Sequence, residues 1–419
     1  MRLGGRRIAT SLILAGLLLA AATTASAQFG ILPGQDQPNS SLALLFPQLK
    51  TAPPPNWLKP GVVLTYYSSA ASVRGGRHYY YLDENGKWVR EGDPDQKRYG
   101  QAEMPTASGH GYTKVHVVAV DRNTAVLDVR SYNINGMNGP VIFFGVNGAL
   151  GLPSAGSDWW INPDVLKTGV GRNQQGTVIL RMPYTVQGKA YQAIRIQYQA
   201  AQALNAYVYE ENTGVLITTS SSVKTAPTPT HPGQTQLTQN SNRGLRAVQI
   251  PWANTPPPAW VRTVKQMNYA GNLAVVLPGT PRTAFPVSVQ YQVKARGADW
   301  LLMSKTAQQG GLPGMPPTTA TSVQTFGSAQ LGGLWVPPAA MANLRVGQVL
   351  DKDPLTQVTC TVTHRGPTPQ GRNVLVISEI GTAQRQDSTY DMQSGMLIGY
   401  SDMNQVLHIH TQVSLTGAQ

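Results

Sequence analysis

Three landmarks occur twice, in the same order, along this 419-residue chain. Pro53-Pro54-Pro55-Asn56-Trp57-Leu58-Lys59 returns as Pro256-Pro257-Pro258-Ala259-Trp260-Val261-Arg262. Trp160-Ile161-Asn162-Pro163 returns as Trp335-Val336-Pro337-Pro338, and each is followed by a short apolar-then-glycine element, Leu166 to Gly169 and Leu344 to Gly347. Tyr209-Glu210-Glu211-Asn212-Thr213-Gly214-Val215-Leu216-Ile217 returns as Tyr390-Asp391-Met392-Gln393-Ser394-Gly395-Met396-Leu397-Ile398. The separation between copies changes from landmark to landmark, so loops differ while the order holds. A repeat of this length is a duplicated folding unit. The sequence therefore divides into a first unit over 53–224 and a second over 256–419. A Pro/Thr/Gln/Asn-rich stretch, 225–255, has the composition of a semi-extended linker between them. A leader over 28–52 precedes the first unit.

Within each unit the hydrophobic period is two. Ile194, Ile196 and Tyr198 alternate with Arg195, Gln197 and Gln199; Val287, Val289, Tyr291 and Val293 alternate with Ser288, Gln290, Gln292 and Lys294. Such strands bury one face and wet the other, as antiparallel sheets do. Asn85-Gly86, Asp121 to Thr124, Thr213-Gly214 and Ser394-Gly395 mark hairpin turns. Helix signals are confined to short stretches after Pro163 and Pro338, with proline in the first turn. The expected fold is mostly β: two tandem antiparallel half-barrel-like domains with few short helices.

Composition removes several classes. With 42 Gly and 31 Pro, long helices are disfavoured. One cysteine excludes an intramolecular disulfide framework and a CxxC zinc module. That cysteine, Cys360, shares a strand face with Val358 and Val362 and reads as a buried, inert thiol. Met1–Ala27 has the form of a secretory signal: Arg2, Arg6 and Arg7, then an apolar run from Leu12 to Ala22, then Ala25-Ser26-Ala27. The apolar run is too short for a stable membrane span, and no later stretch reaches the length one needs. Periplasmic or extracellular placement follows. The formal charge of +13 is spread along the chain without a Lys/Arg run. That argues against a specific nucleic-acid partner and leaves acidic envelope components or lipid headgroups as possible partners.

Reactive motifs are scarce. The sequence has no G-x-S-x-G elbow, H-E-x-x-H or P-loop, and no cofactor is implied. Ser154 lies in a glycine-rich loop with the wrong spacing for an elbow. Asp93/Asp95 and Asp351/Asp353 read as solvated turns. His408 and His410, two apart on an expected strand, face the same way and are the metal candidates, although no further ligand adjoins them; His110 and His116 flank a Gly-Tyr pair and have less support. Tyr79, Tyr80, Tyr81 and Trp88 gather on one hairpin, either as a sugar-stacking surface or as core. Two long, apolar, glycine-rich segments, 133–158 and 306–334, precede the second tryptophan landmark in each unit. They read either as lids over a groove or as covers for a sheet edge. Phe143, Phe144, Trp159, Trp160, Met315 and Trp335 are the candidate ligand-binding residues on this reading.

The opening Trp57-Leu58-Lys59-Pro60-Gly61 with Tyr66, the meandering strands and the late Tyr-acidic-x-x-Thr/Ser-Gly hairpin resemble secreted bacterial half-barrel proteins similar to the LolA/LppX lipoprotein-carrier superfamily. The second unit departs from the opening, with Thr263-Val264 in place of Pro60-Gly61. The resemblance implies a curved antiparallel sheet with an apolar inner face and assigns no binding residue. The resulting expectation is an exported, non-catalytic envelope protein that binds an apolar or amphipathic ligand, or a partner, through its concave sheet faces. The alternatives are a structural or surface-assembly protein and, with no nucleophile–base pair to nominate, a hydrolase.

Overall fold

The alternating segments form strands, and the duplication sets their order. The computed structural model describes residues 45–419 except 75–79, 83–87, 91–100, 103–104, 135–138, 157, 175, 201, 226–233, 276–282 and 311–316. In the first lobe the strands are β1 (Val62–Arg74), β2 (Tyr80–Leu82), β3 (Trp88–Arg90), β4 (Gln101–Ala102), β5 (Pro105–Val120), β6 (Ala125–Ile134) and β7 (Val141–Gly151). Helix α1 (Pro163–Lys167) follows, then β8 (Asn173–Gln174), β9 (Thr177–Val186), β10 (Lys189–Ala200), β11 (Ala203–Glu210), β12 (Leu216–Thr225) and β13 (Gln234–Ala247). The second lobe runs β14 (Gln266–Val275), β15 (Thr283–Arg296), β16 (Trp300–Gln309), β17 (Thr318–Gly327) and α2 (Pro338–Met341). It continues through β18 (Val349–Lys352), β19 (Thr359–Pro367), β20 (Asn373–Ile380), β21 (Gln384–Asp391), β22 (Leu397–Asn404) and β23 (Ile409–Ala418).

Each lobe is one open ten-stranded antiparallel sheet. The orders are β7-β6-β5-β1-β13-β12-β11-β10-β9-β8 and β17-β16-β15-β14-β23-β22-β21-β20-β19-β18. The two orders match strand for strand. Even the irregularities match: the register slips between Thr65 and Tyr66 on β1 and between Asn268 and Tyr269 on β14. The first lobe adds a small β3-β2-β4 sheet between β1 and β5. It contains the expected aromatic hairpin, in which Leu82 pairs with Trp88.

Two segments differ from expectation. The stretch 225–255 is not simply a linker, because it contains β13, which lies in the middle of the first sheet between β1 and β12. It is the counterpart of the chain-terminal β23. Nor are 133–158 and 306–334 simply loops, since each contains a strand, β7 and β17, the outermost strands on one side of each sheet. One glycine on each of these edges lies against the other lobe. A side chain at Gly148 would collide with the backbone of Thr325, and one at Gly327 would come within 2.5 Å of the Val118 carbonyl.

On its inner face each sheet curls around the loop that carries the second tryptophan and the short helix. In lobe 1 this core holds Leu64, Tyr66, Leu127, Trp159, Trp160, Leu166, Ile194 and Ile196. In lobe 2 it holds Met267, Tyr269, Trp335, Leu344, Val362, Leu375, Ile377 and Tyr390, and Val63, Val248 and Trp252 from the first half join it. Proline starts both helices, and in α1 the Asn162 side chain caps the N–H groups of Asp164 and Val165. No helix among the described residues is long and apolar enough to cross a membrane.

Candidate functional site

The three repeated landmarks converge in each lobe into one latch. Trp57 donates its indole N–H to the Thr213 carbonyl at 2.8 Å, and Trp260 does the same to Ser394 at 2.9 Å. Each of these rings meets the second tryptophan edge-on, Trp57 with Trp160 at 5.6 Å and Trp260 with Trp335 at 6.1 Å. The tyrosine of the late hairpin reaches back to the same loop: Tyr209 Oη donates to the Asp158 carbonyl at 2.9 Å and Tyr390 Oη to that of Gly333 at 2.8 Å. The hairpin turns on Gly214 (φ 69°) and Gly395 (φ 73°), where a left-handed backbone suits glycine. Glu210 and Asp391 accept the N–H groups of Thr213 and Ser394 there. The spacing after the second tryptophan resolves differently from its first reading. Gly347 donates to Val362 as Gly171, rather than Gly169, donates to Ile179.

Three of the six candidate ligand-binding residues are core around this latch. Trp159, Trp160 and Trp335 are 1%, 0% and 2% exposed and serve as core. Phe143 is half-buried on β7, edge-on to Tyr132, and its N–H donates to Gln384 of lobe 2 at 2.6 Å. Phe144 is half-buried beside it. Met315 and the Asp93/Asp95 pair lie outside the described residues. Ser154 is buried and donates to the Leu49 carbonyl. His408 sits in the β22–β23 turn at φ 54°, so it does not share a strand face with His410, which pairs with Ser401. Among the described residues no group of three metal-ligating side chains forms. Cys360 is buried, and desolvation pushes its thiol well above the usual range.

The charged residues collect where the lobes meet. On β5 and β6, Lys114, His116, Asp128 and Arg130 point away from the lobe 1 core; Lys114 pairs across the ladder with Arg130, and His116 with Asp128. Lobe 2 covers them. Arg130 binds Asp128 through Nε at 2.8 Å, both Glu379 oxygens through Nη1 at 3.0 Å and the Leu331 carbonyl through Nη2 at 2.9 Å. Gln330 donates to Asp128 at 2.9 Å. Lys114 meets Asp353 at 2.5 Å, and Arg246 of β13 grips Asp351 with both terminal nitrogens at 2.5 and 2.7 Å. The Asp351/Asp353 pair is thus a buried receptor for cations rather than a solvated turn.

Burial dominates the electrostatics of this junction. Desolvation and then the neighbouring Arg130, Lys114 and Arg246 hold His116 well below its ordinary value. Burial alone would raise Asp353, but Lys114 outweighs it and holds the carboxyl below the usual range. The sequence signal for this cluster is the Leu127-Asp128-Val129-Arg130 alternation: charged residues inside an apolar strand of a low-charge chain need a covering partner.

Arg130 enters the inner face of lobe 2, and this separates the two lobes functionally. In lobe 2 one continuous row crosses that face: Glu379, Gln386, Asp402, Thr411, Leu273 and Phe285 on β20, β21, β22, β23, β14 and β15. The equivalent row in lobe 1 is Tyr198, Asn205, Ser221, Thr238, Ala70 and Gly109. The lobe 2 row has an acidic half and an apolar half; the lobe 1 row has neither. In the row beyond, Asn404 is 7% exposed, whereas its lobe 1 counterpart Val223 is 39% exposed. Lobe 1 therefore reaches the inner face of lobe 2 at Glu379 and Gln384, while the middle of the row is half-buried in both lobes, at Gln386, Asp402 and Thr411 as at Asn205, Ser221 and Thr238. At the core end of the lobe 1 row lies a cavity of about 30 Å³ between Ser68, Thr113, Ser131, Asn133 and Asn240, with Trp159 at its base.

No protein-family model matches the chain, and no curated protein matches it. A solved structure described as "The Structure of Intact Ap-TbpB (N and C lobes)" is similar over 87% of this chain and 79% of that one, at 10% identity and a TM-score of 0.08.

Proposed function

We propose that this is an exported, non-catalytic cell-envelope protein that holds an amphipathic ligand or a partner on the inner face of lobe 1. The observation that carries this reading is the asymmetry of the two inner faces. They are built in the same register, yet the lobe 2 row carries Glu379 and Asp402 and receives Arg130, whereas the lobe 1 row is uncharged. The form of Met1–Ala27 supports export to the periplasm or beyond. The charged side chains at the lobe junction are tied in ion pairs, which favours a structural role for them over chemistry. Kinship with the LolA/LppX lipoprotein-carrier superfamily belongs to the same proposal, since a half-open sheet with a usable inner face is what that resemblance implies. The polar lining of the lobe 1 face favours an amphipathic ligand over a purely apolar one.

The test is expression of the full chain in a bacterial host, fractionation, and mass spectrometry of the purified protein beside a Ser221→Trp variant that obstructs that face. The expected result is cleavage after Ala27, recovery outside the cytoplasm, and a bound molecule present in the wild type and absent from the variant. Cytoplasmic retention, or identical bound material in the two proteins, would contradict the proposal.

A further inference from the structure

We infer that the cleft beside the late hairpin of lobe 2 is a docking surface for an acidic polypeptide segment of a partner, held by Arg365 and Arg372. This site lies apart from the lobe 1 inner face and stands independently of the reading above. It emerges from a comparison of the two late hairpins. In lobe 1, Arg181 of β9 sits opposite Ile194 and binds Glu211 of the late hairpin at 2.7 Å. In lobe 2 the matching arginine, Arg365 of β19, sits opposite Leu375. Both hairpins join their sheets in the same way: the Glu211 N–H donates to the Gln192 carbonyl at 2.9 Å, and the Met392 N–H to that of Asn373 at 3.1 Å. Met392 therefore stands where lobe 1 has Glu211, and it packs against the lobe 2 core. Arg365 has lost its carboxylate. Among the described residues its side chain keeps only the Leu344 carbonyl, at 3.4 Å, long for a hydrogen bond.

A second change adds a cation. Asn373 matches Gln192, so Arg372 takes the place of Tyr191. Arg372 binds Asp391 through Nε at 3.1 Å, and its terminal nitrogens make no hydrogen bond among the described residues. At these positions lobe 1 sets Arg181 against Glu210 and Glu211, whereas lobe 2 sets two arginines against Asp391 alone. The neighbouring turn is shorter as well: eight residues separate Pro183 from Gln192, and five separate Pro367 from Asn373. Here lies an open cleft of about 830 Å³ bounded by Arg365, Gly371, Arg372, Asn373, Met392 and Gln393.

These features select the occupant. Lobe 1 displays what the arginine takes when it is satisfied, a glutamate carboxylate carried on a polypeptide. The planar guanidinium fork matches that group in shape and charge. The cleft is far larger than one carboxylate or phosphate ion, and it opens to solvent between two hairpins, so an extended chain can lie across it. Exposed Asn373 and Gln393 at its wall carry carboxamides that both donate to and accept from peptide groups. The positive net charge of the whole chain draws an acidic partner toward it.

The experiment follows fluorescence anisotropy of labelled hexaglutamate with the full mature chain at about 0.15 M salt, where attraction beyond about 8 Å is largely screened. Hexaglutamine, inorganic phosphate and phosphatidylglycerol vesicles are the other probes. Arg365→Gln removes the unpaired cation, and Met392→Glu restores within the chain the carboxylate that lobe 1 has. Lys294→Gln, at an exposed cation elsewhere on lobe 2, is the control. All three are checked for an unchanged melting temperature, and either cleft variant decides should the other melt lower. The expected result is saturable binding of hexaglutamate but not of hexaglutamine, weakened at least about fivefold by each cleft variant and unchanged by the control. Hexaglutamate binding that survives the cleft variants overturns the site. Binding of phosphate or of the vesicles without hexaglutamate overturns the polypeptide assignment, and no binding of any probe overturns the inference altogether.

Discussion

The two inner faces began as copies and now differ in charge. In lobe 2 the row from Glu379 to Phe285 is acidic at one end and apolar at the other, and lobe 1 sits on it through Arg130. In lobe 1 the same row is uncharged. The outer faces diverged in the complementary sense. Lys114, His116, Asp128 and Arg130 of lobe 1 correspond to Gln290, Gln292, Ser304 and Thr306 of lobe 2. A duplicated lobe that docks outer face into inner face is a head-to-tail contact, and such contacts propagate into open chains unless something stops them. Here Lys114, His116, Asp128 and Arg130 stand where lobe 2 has uncharged residues, so the charges favour the outer face of lobe 1 on the inner face of lobe 2 over the reverse pairing.

The comparison is sharpened first at the latches, where the lobes should behave alike. Trp160→Ala and Trp335→Ala each empty a fully buried indole site and should each cost about 3–5 kcal/mol. Denaturant unfolding checks this, and a cost several-fold smaller in one lobe would break the equivalence. At the junction the lobes should differ. Arg130→Ala leaves Asp128 and Glu379 buried without their cation and should cost about 3–5 kcal/mol, whereas its lobe 2 counterpart Thr306→Ala should fall within about 0.5 kcal/mol. Separate unfolding of the lobes in the Arg130 variant would be the accompanying sign. The tyrosine latches give a smaller, matched pair. Tyr209→Phe and Tyr390→Phe each orphan a buried carbonyl and should cost about 1–2 kcal/mol by the same measurement.

A pH series adds an effect confined to the junction. His116 is held below its ordinary value of 6.5, so the unfolded chain takes up this proton more readily than the folded one. Its contribution is fully present above 6.5 and is lost as pH falls below that value. Asp353 has the same sign in a lower window, its contribution being present above 3.8 and lost as pH falls further. Melting temperatures between pH 7.5 and 5 should decline, and His116→Gln should flatten that decline. An unchanged slope would remove His116 from the account.

Much of the fold was legible because local chemistry repeats. The period-two alternation of Ile194 to Tyr198 and of Val287 to Val293, the turns at Thr213-Gly214 and Ser394-Gly395, and the paired tryptophan landmarks all mark real elements. Strand β13 was not legible because its inner side is polar. Thr238 and Asn240 replace the apolar residues that would betray a strand, and the remaining Gln, Thr and Ser read as linker. Its counterpart β23, with Ile409, Val413 and Leu415, keeps the usual pattern, so aligning the repeats to their ends would have found it. The glycines of β7 read as loop, and the reason for Gly148, close approach by Thr325 of β17, lies some 175 residues away. The candidate aromatics lie in the most apolar stretches, which are where core forms, whereas the inner-face row of lobe 1 is built largely from small polar residues that carry no such signal. Asp351 and Asp353 have flanking residues typical of turns; only the arrival of Lys114 and Arg246 makes them a receptor.

The central claim, that two inner faces in one register are covered differently, is tested most directly by thiol labelling at equivalent positions. With Cys360 replaced by Ser, single cysteines at Val223→Cys and Asn404→Cys report on the same place in the two lobes. The account predicts labelling at least about tenfold faster at 223 than at 404, with the 404 site becoming accessible when Arg130→Ala is added. Equal rates at the two positions in the otherwise intact protein would contradict it.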